Sequence, residues 1–146
     1  MQKSNYRHFN KFSKVNLTTL MSLYYNNFIN INSLIDLFSI QKITTLYSKS
    51  SDIPILIELL DQATYTTTLR LNYLFKDSDK IPDLQVRIYH DSRQAEVLQV
   101  KSNDKNISLF TLTRYDNYSN IEARWYLNNF LHKWLQHCSK HKYLQI

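Results

Sequence analysis

A chain of 146 residues without a single glycine is barred from most of the tight backbone devices that hold phosphates and nucleophiles. Average usage would supply about ten glycines. A P-loop, a dinucleotide G-x-G-x-x-G, a G-x-S-x-G elbow and an EF-hand loop each need glycine at positive φ or at a close backbone approach. All four are excluded in their usual form. Tight turns must then rest on Asn, Asp and Ser, whose side chains bond their own backbone or tolerate the left-handed region. A single Cys excludes an internal disulfide and multi-cysteine metal sites. It fits a reducing cytoplasm, the compartment expected here. No apolar run reaches the roughly 18 residues of a membrane span, so no membrane partner is expected.

The periodicity changes along the chain. From Asn16 the apolar residues fall at Leu17, Leu20/Met21, Tyr24, Phe28, Ile31, Ile35 and Phe38, steps of three and four that predict a helix. Asn16 suits its N-cap, and Asn30–Asn32 is a point where it should weaken. From about residue 40 the period becomes two. Strands are expected near 41–47, 55–61, 64–75, 84–91, 94–101 and 107–114, with connections too short for crossover helices. Ser119-Asn120-Ile121-Glu122 reads as a capping box. It opens an amphipathic helix over 120–141 with Ala123, Leu127, Phe130/Leu131, Trp134 and Cys138 on its apolar stripe. The expected architecture is α+β: an N-terminal helix, an antiparallel meander of about six strands, and a long C-terminal helix packed on the sheet. Residues 1–15 read as a basic flexible arm and 16–146 as one domain.

Charge is segregated. Residues 1–35 carry Lys3, Arg7, Lys11 and Lys14 and no acid. Residues 123–146 carry Arg124, Lys133, Lys140 and Lys142 and again no acid. All 12 acids lie between them, in a chain of net charge +6. Two basic ends on a near-neutral body form a footprint for a polyanion, such as nucleic acid or a ribonucleoprotein.

Five patches carry a family resemblance: Asn27-Phe28; Tyr65-Thr66-Thr67; Val86-Arg87-Ile88-Tyr89-His90-Asp91 followed by Ala95-Glu96-Val97; Arg114-Tyr115-Asp116; and Trp134-Leu135-x-x-Cys138. In that order and spacing the chain resembles the YqiB-like family of small uncharacterised gammaproteobacterial proteins, over roughly residues 20–146. The resemblance implies a bacterial, cytoplasmic, single-domain protein and no particular reaction. Relatives continue R-Y-D with Tyr-Pro-Asn, where this chain has Asn117-Tyr118-Ser119. They place Gly four residues after the Cys, where this chain has Lys142, so a frayed last helical turn is expected.

The candidate sites follow from register and spacing. A two-residue turn at Ser92-Arg93 would set Tyr89 opposite Glu96 with Arg87 diagonally within reach, an Arg–Tyr–Glu cluster able to orient a polar or anionic ligand. Arg114 and Tyr115 join it as ligand-binding candidates. His90, oriented by Asp116, is the weak candidate for hydrolase chemistry. His137 and His141 stand at i, i+4, but without acidic neighbours they read as helix-terminal charges. No metal and no cofactor is expected. Cys138 reads as packing.

The leading expectation is a non-enzymatic binding or regulatory domain contacting nucleic acid or a ribonucleoprotein through its basic termini. A small-ligand or weak hydrolase site between sheet and last helix is the first alternative. A protein–protein adaptor using a sheet face, with Leu98, Val100, Phe110 and Leu112 exposed, is the second.

Overall fold

The computed structural model describes residues 14–37, 40–48, 54–73, 83–101 and 121–145. Helix α1 spans Leu17–Leu34. Asn16 opens it with a reciprocal cap: its Oδ1 accepts the Thr19 N–H at 2.9 Å, and its own N–H donates to Thr19 Oγ1 at 3.3 Å. That pair satisfies two of the donors every helix start leaves without partners. The expected weakness at Asn30–Asn32 does not interrupt α1. Ile31 is buried there, and the core contact outweighs the low propensity of its neighbours.

Strands β1 (Ile43–Ser48), β2 (Ile55–Gln62), β3 (Thr66–Tyr73), β4 (Asp83–Tyr89) and β5 (Gln94–Lys101) form the expected antiparallel meander. Helix α2 (Ile121–Lys140) follows, and then β6 (Tyr143–Gln145). The sheet order is β5-β4-β3-β2-β1-β6. The sixth strand therefore comes from beyond α2 and pairs with β1, Tyr47 opposite Leu144. The expected strand at 107–114 and the capping box at Ser119–Glu122 lie outside the described residues, apart from Ile121 and Glu122 in α2.

Alternation places Ile55 and Ile57, Leu69 and Leu71, Leu84, Val86 and Ile88, and Ala95 and Val97 on one sheet face. All are buried in one core with Phe28 and Ile31 of α1 and Leu127, Leu131 and Leu135 of α2. Both helices thus cover the same face. Toward their N-terminal ends Leu20, Leu23, Tyr24 and Trp125 form a second cluster. Trp125 Nε1 donates to Thr19 Oγ1 at 2.8 Å, and that hydroxyl donates to the Lys14 carbonyl at 2.6 Å.

The stripe expected on α2 holds at Ala123, Leu127, Leu131 and Cys138, and is corrected at its tryptophan. Leu135 sits in the core and Trp134 is only partly buried against it, whereas Trp125 is the enclosed tryptophan. Nor is the end of α2 frayed. His141 N–H closes on the His137 carbonyl at 3.0 Å, Lys142 takes φ 54, and the chain turns directly into β6. Lys142 occupies the left-handed position that glycine usually fills after a helix.

Candidate functional site

The face of the sheet opposite the helices carries a polar array. Its geometry depends on the turn between β4 and β5, which has four residues, His90–Arg93, rather than the expected two. A two-residue hairpin of type I′ needs positive φ at both central residues, which glycine supplies most cheaply. Here only Arg93 takes positive φ, at 56°. The longer turn moves the register by one pair while keeping every side chain on its face. Arg87 now lies directly opposite Glu96, and Tyr89 lies opposite Gln94.

Arg87 and Glu96 form no ion pair within 4 Å. Tyr89 Oη instead reaches diagonally and donates to Glu96 Oε1 at 2.7 Å. Arg87 Nε donates to Thr68 Oγ1 at 3.3 Å, across the β3–β4 pair that sets Thr68 opposite Arg87. Burial, together with the hydrogen bond and charge of Glu96, raises the Tyr89 phenol above its ordinary pKa, and Arg87 works against that rise.

Tyr24 arrives from α1 and lies outside the cluster that the sequence predicts. Its ring is buried, and its hydroxyl lies near enough to Glu96 for that carboxylate to shift its titration. Burial, and then the Glu96 charge, push its phenol up to about 12, with Arg124 opposing. The sequence marks Tyr24 only as a member of the apolar stripe; no local signal shows that its hydroxyl reaches the β5 side.

Farther across the same face, Arg70 ties three strands together. It bonds Glu58 on β2 at 3.1 Å and approaches Asp83 on β4 at 3.3 Å. The result is a half-buried polar cluster in which one carboxylate, Glu96, takes the Tyr89 phenol, lies near the Tyr24 phenol that reaches it from α1, and faces the Arg87 guanidinium.

His90 sits half-buried at the head of the turn. Its Nε2 lies 2.7 Å from Thr67 Oγ1, and its backbone N–H bonds the Tyr65 carbonyl at 2.9 Å. Thr67 is fully buried, so this hydroxyl is closed to a substrate and the contact pins the turn to β3. Asp116, Arg114 and Tyr115 lie outside the described residues.

A family profile for proteins of unknown function matches residues 33–144, about three quarters of the chain. The chain belongs to the DUF1249 family. Searches of curated proteins and of solved structures found no match. The DUF1249 match contains Arg87, Tyr89 and Glu96 but leaves out most of α1, including Tyr24.

The other candidate residues of this DUF1249 protein are dispersed. Lys14 stands beside Trp125 at the start of α2, whereas Lys133, Lys140 and Lys142 lie on or beyond its second half. Lys3, Arg7 and Lys11 lie outside the described residues. The rings of His137 and His141 stack at 4.1 Å between centroids. Among the described residues no three His, Cys, Asp or Glu side chains gather as metal ligands. Cys138 is buried, and burial pushes its thiol up to about 12, far from a reactive thiolate.

Between the helices and the sheet, Ile35, Leu46, Ile57, Trp134 and Cys138 line an apolar recess with about 20 Å³ of free space. That is room for about one water molecule and not for a ligand. Of the candidate ligand-binding residues, Arg87, Tyr89 and Glu96 do not line it. Among the described residues no helix is long and apolar enough to cross a membrane. Of the apolar residues that the adaptor reading requires to be exposed, Val100 packs against the helix-side core, Leu98 is half-buried, and Phe110 and Leu112 lie outside the described residues.

Proposed function

We propose that this DUF1249 protein is a non-enzymatic binding domain that engages a polyanion, nucleic acid or a ribonucleoprotein, through the outer face of α2. One observation carries the reading. Tyr126, Lys133, His137 and Lys140 are all exposed, and their spacing of seven, four and three residues keeps them on one helical face. No acid follows Glu122 in this helix, and Lys142 extends the charge past its end. Tyr126 adds a ring on which a base can stack. In this reading Lys3, Arg7, Lys11, Lys14 and Arg124 widen the footprint, and the arm follows a phosphate backbone without strict geometry.

The YqiB-like resemblance, with its bacterial and cytoplasmic setting, belongs to the same proposal. It is supported by the Y-H-D-x-x-x-A-E-V block and the lone buried Cys138.

The test is a titration of fluorescent single-stranded RNA and DNA at several salt concentrations. Binding should be tolerant of sequence. Four to six phosphate contacts give a log–log salt slope of about −3 to −4. Replacing Lys133, Lys140 and Lys142 together by Ala should flatten that slope by about two. Removing residues 1–15 should flatten it further. No binding at about 50 mM salt, or binding indifferent to salt and to both changes, rejects the proposal.

A second reading, a small polar ligand bound at Glu96, is favoured by the gathering of the Tyr89 and Tyr24 phenols about that carboxylate. Thermal-shift screening of the intact chain against small polar compounds tests it. A stabilising compound must lose its effect in Tyr24→Phe and Glu96→Gln.

A further inference from the structure

Helix α1 contains no charged residue in 18 positions. Its inner side is spent on the core, yet its outer side carries a row of large apolar groups. Leu17, Met21, Tyr25 and Ile29 are 58, 41, 49 and 36 % exposed. They recur every fourth residue, so they form one ridge along about 18 Å of helix, at 1.5 Å per residue. The exposed residues beside them, Thr18, Ser22, Asn32 and Ser33, are small and uncharged.

We propose that this ridge is a self-association surface, and that its occupant is α1 of a second copy of the chain. The argument is electrostatic and geometric. Two molecules of net charge +6 repel one another, and the exposed face of α2 carries part of that charge. A charge-free helix is where two copies meet without burying or opposing like charges. A partner recruited by charge finds nothing on α1 to hold.

A ridge of period four also complements its own copy. Such ridges interdigitate when two helices cross at about −50°. A two-fold axis through the middle of the ridge makes the contact self-complementary. Met21 and Tyr25 then meet their counterparts near the axis, and Leu17 approaches Ile29 of the other copy.

A single helix ridge buries less than the roughly 800 Å² per partner of a standard interface. The dimer is accordingly weak, with a dissociation constant of roughly tens to hundreds of micromolar.

Sedimentation velocity on the full chain from about 10 to 500 µM tests this range. The weight-average coefficient should rise from monomer toward dimer. Met21→Lys and Met21→Glu should each remain monomeric, with unchanged circular dichroism and cooperative unfolding. Mixed in equal amounts at low salt they should associate, because the new charges face each other across the axis. That rescue is the signature of copy meeting copy.

A wild-type chain monomeric throughout the range overturns the proposal. So does a dimer that survives both substitutions, which would place the contact elsewhere. Flotation with neutral phosphatidylcholine vesicles, abolished by Met21→Lys and unaccompanied by dimer, would assign the ridge to a lipid surface and equally overturn it.

Discussion

Asn128 Oδ1 accepts the backbone N–H of Val97 at 2.9 Å, so a side chain of α2 bonds the backbone of β5, the last strand in the sheet order among the described residues. Both residues are buried. Asn128 also donates to the Arg124 carbonyl at 2.8 Å and accepts from Asn27 Nδ2 at its own carbonyl at 3.2 Å. A single residue thus links both helices to β5, beside the bulge that opens between Val97 and Gln99. Asn128→Ala removes this hydrogen bond from the buried Val97 N–H. The expected cost is about 1–3 kcal/mol in urea unfolding. Amide exchange at Val97 should accelerate more than at Val86. Equal protection in the variant would remove the bond from this account.

Tyr89 and Arg87 should couple unequally to Glu96. The phenol makes a short hydrogen bond; the guanidinium faces the carboxylate without pairing. Double-mutant cycles with Tyr89→Phe, Arg87→Gln and Glu96→Gln should give about 1 kcal/mol for Tyr89–Glu96. The Arg87–Glu96 coupling should be about 0.2–0.5 kcal/mol, because both groups are partly solvated. Reversal of that order would show that in solution the ion pair replaces the phenol bond.

The missing glycines have a measurable cost. Arg93 and Lys142 both hold the left-handed backbone, which costs a residue with a Cβ roughly 1–2 kcal/mol and glycine little. Arg93→Gly and Lys142→Gly should each raise stability by about 1 kcal/mol, partly offset by the entropy glycine brings to the unfolded chain. They stand toward opposite ends of the sheet order, so the gains should add. Thermal unfolding of the two single variants and the double variant reads this directly.

Element type is legible in the sequence because the periods of 3.6 and 2 are strong and scarcely overlap. The five meander strands and both helices follow from it. Register is less legible. It turns on the conformation of His90–Arg93, which depends on which residue accepts positive φ. Strand β6 is three residues long and gives no periodic signal of its own. The α2 stripe holds at Ala123, Leu127, Leu131 and Cys138 and errs at Trp134, because a tryptophan weighs heavily in any apolar count. Trp125 carries the larger burial. Trp125→Ala should cost about 3–5 kcal/mol and Trp134→Ala clearly less, by chemical denaturation. Of the candidate site, Arg87, Tyr89 and Glu96 can be placed on one face from alternation alone. Tyr24 cannot, because its approach depends on how α1 crosses the sheet.

Stability should fall at both ends of the pH scale, for reasons that can be separated. Burial, and then Lys133, lower the His132 pKa from its ordinary 6.5. The unfolded chain therefore takes up the proton first. The stability that neutral His132 allows is present above about pH 6.5 and is lost as pH falls through the depressed folded value. His132→Leu should flatten the acid limb by up to about 1.4 kcal/mol per pH unit. Tyr24 acts in the opposite sense. Its pKa is raised to about 12 in the folded chain, so its contribution is full below about pH 10 and is lost as pH rises from 10 through 12. Tyr24→Phe should remove that part of the alkaline limb. Urea midpoints across pH 5–11 distinguish the two groups.

The place of β6 in the sheet also bears on how the chain is made. β1 to β5 emerge in an order that lets each strand pair with the one before it. The far edge of β1 waits until Leu144 is available to Tyr47, about a hundred residues later. At roughly 5–20 residues per second that interval is about 5–20 s. Throughout it the nascent sheet presents an open strand edge carrying Ile43, Leu46 and Tyr47. Neighbouring chains on one messenger have their chance to pair along β1 during synthesis, a chance that β6 narrows in the finished molecule by covering Leu46–Ser48.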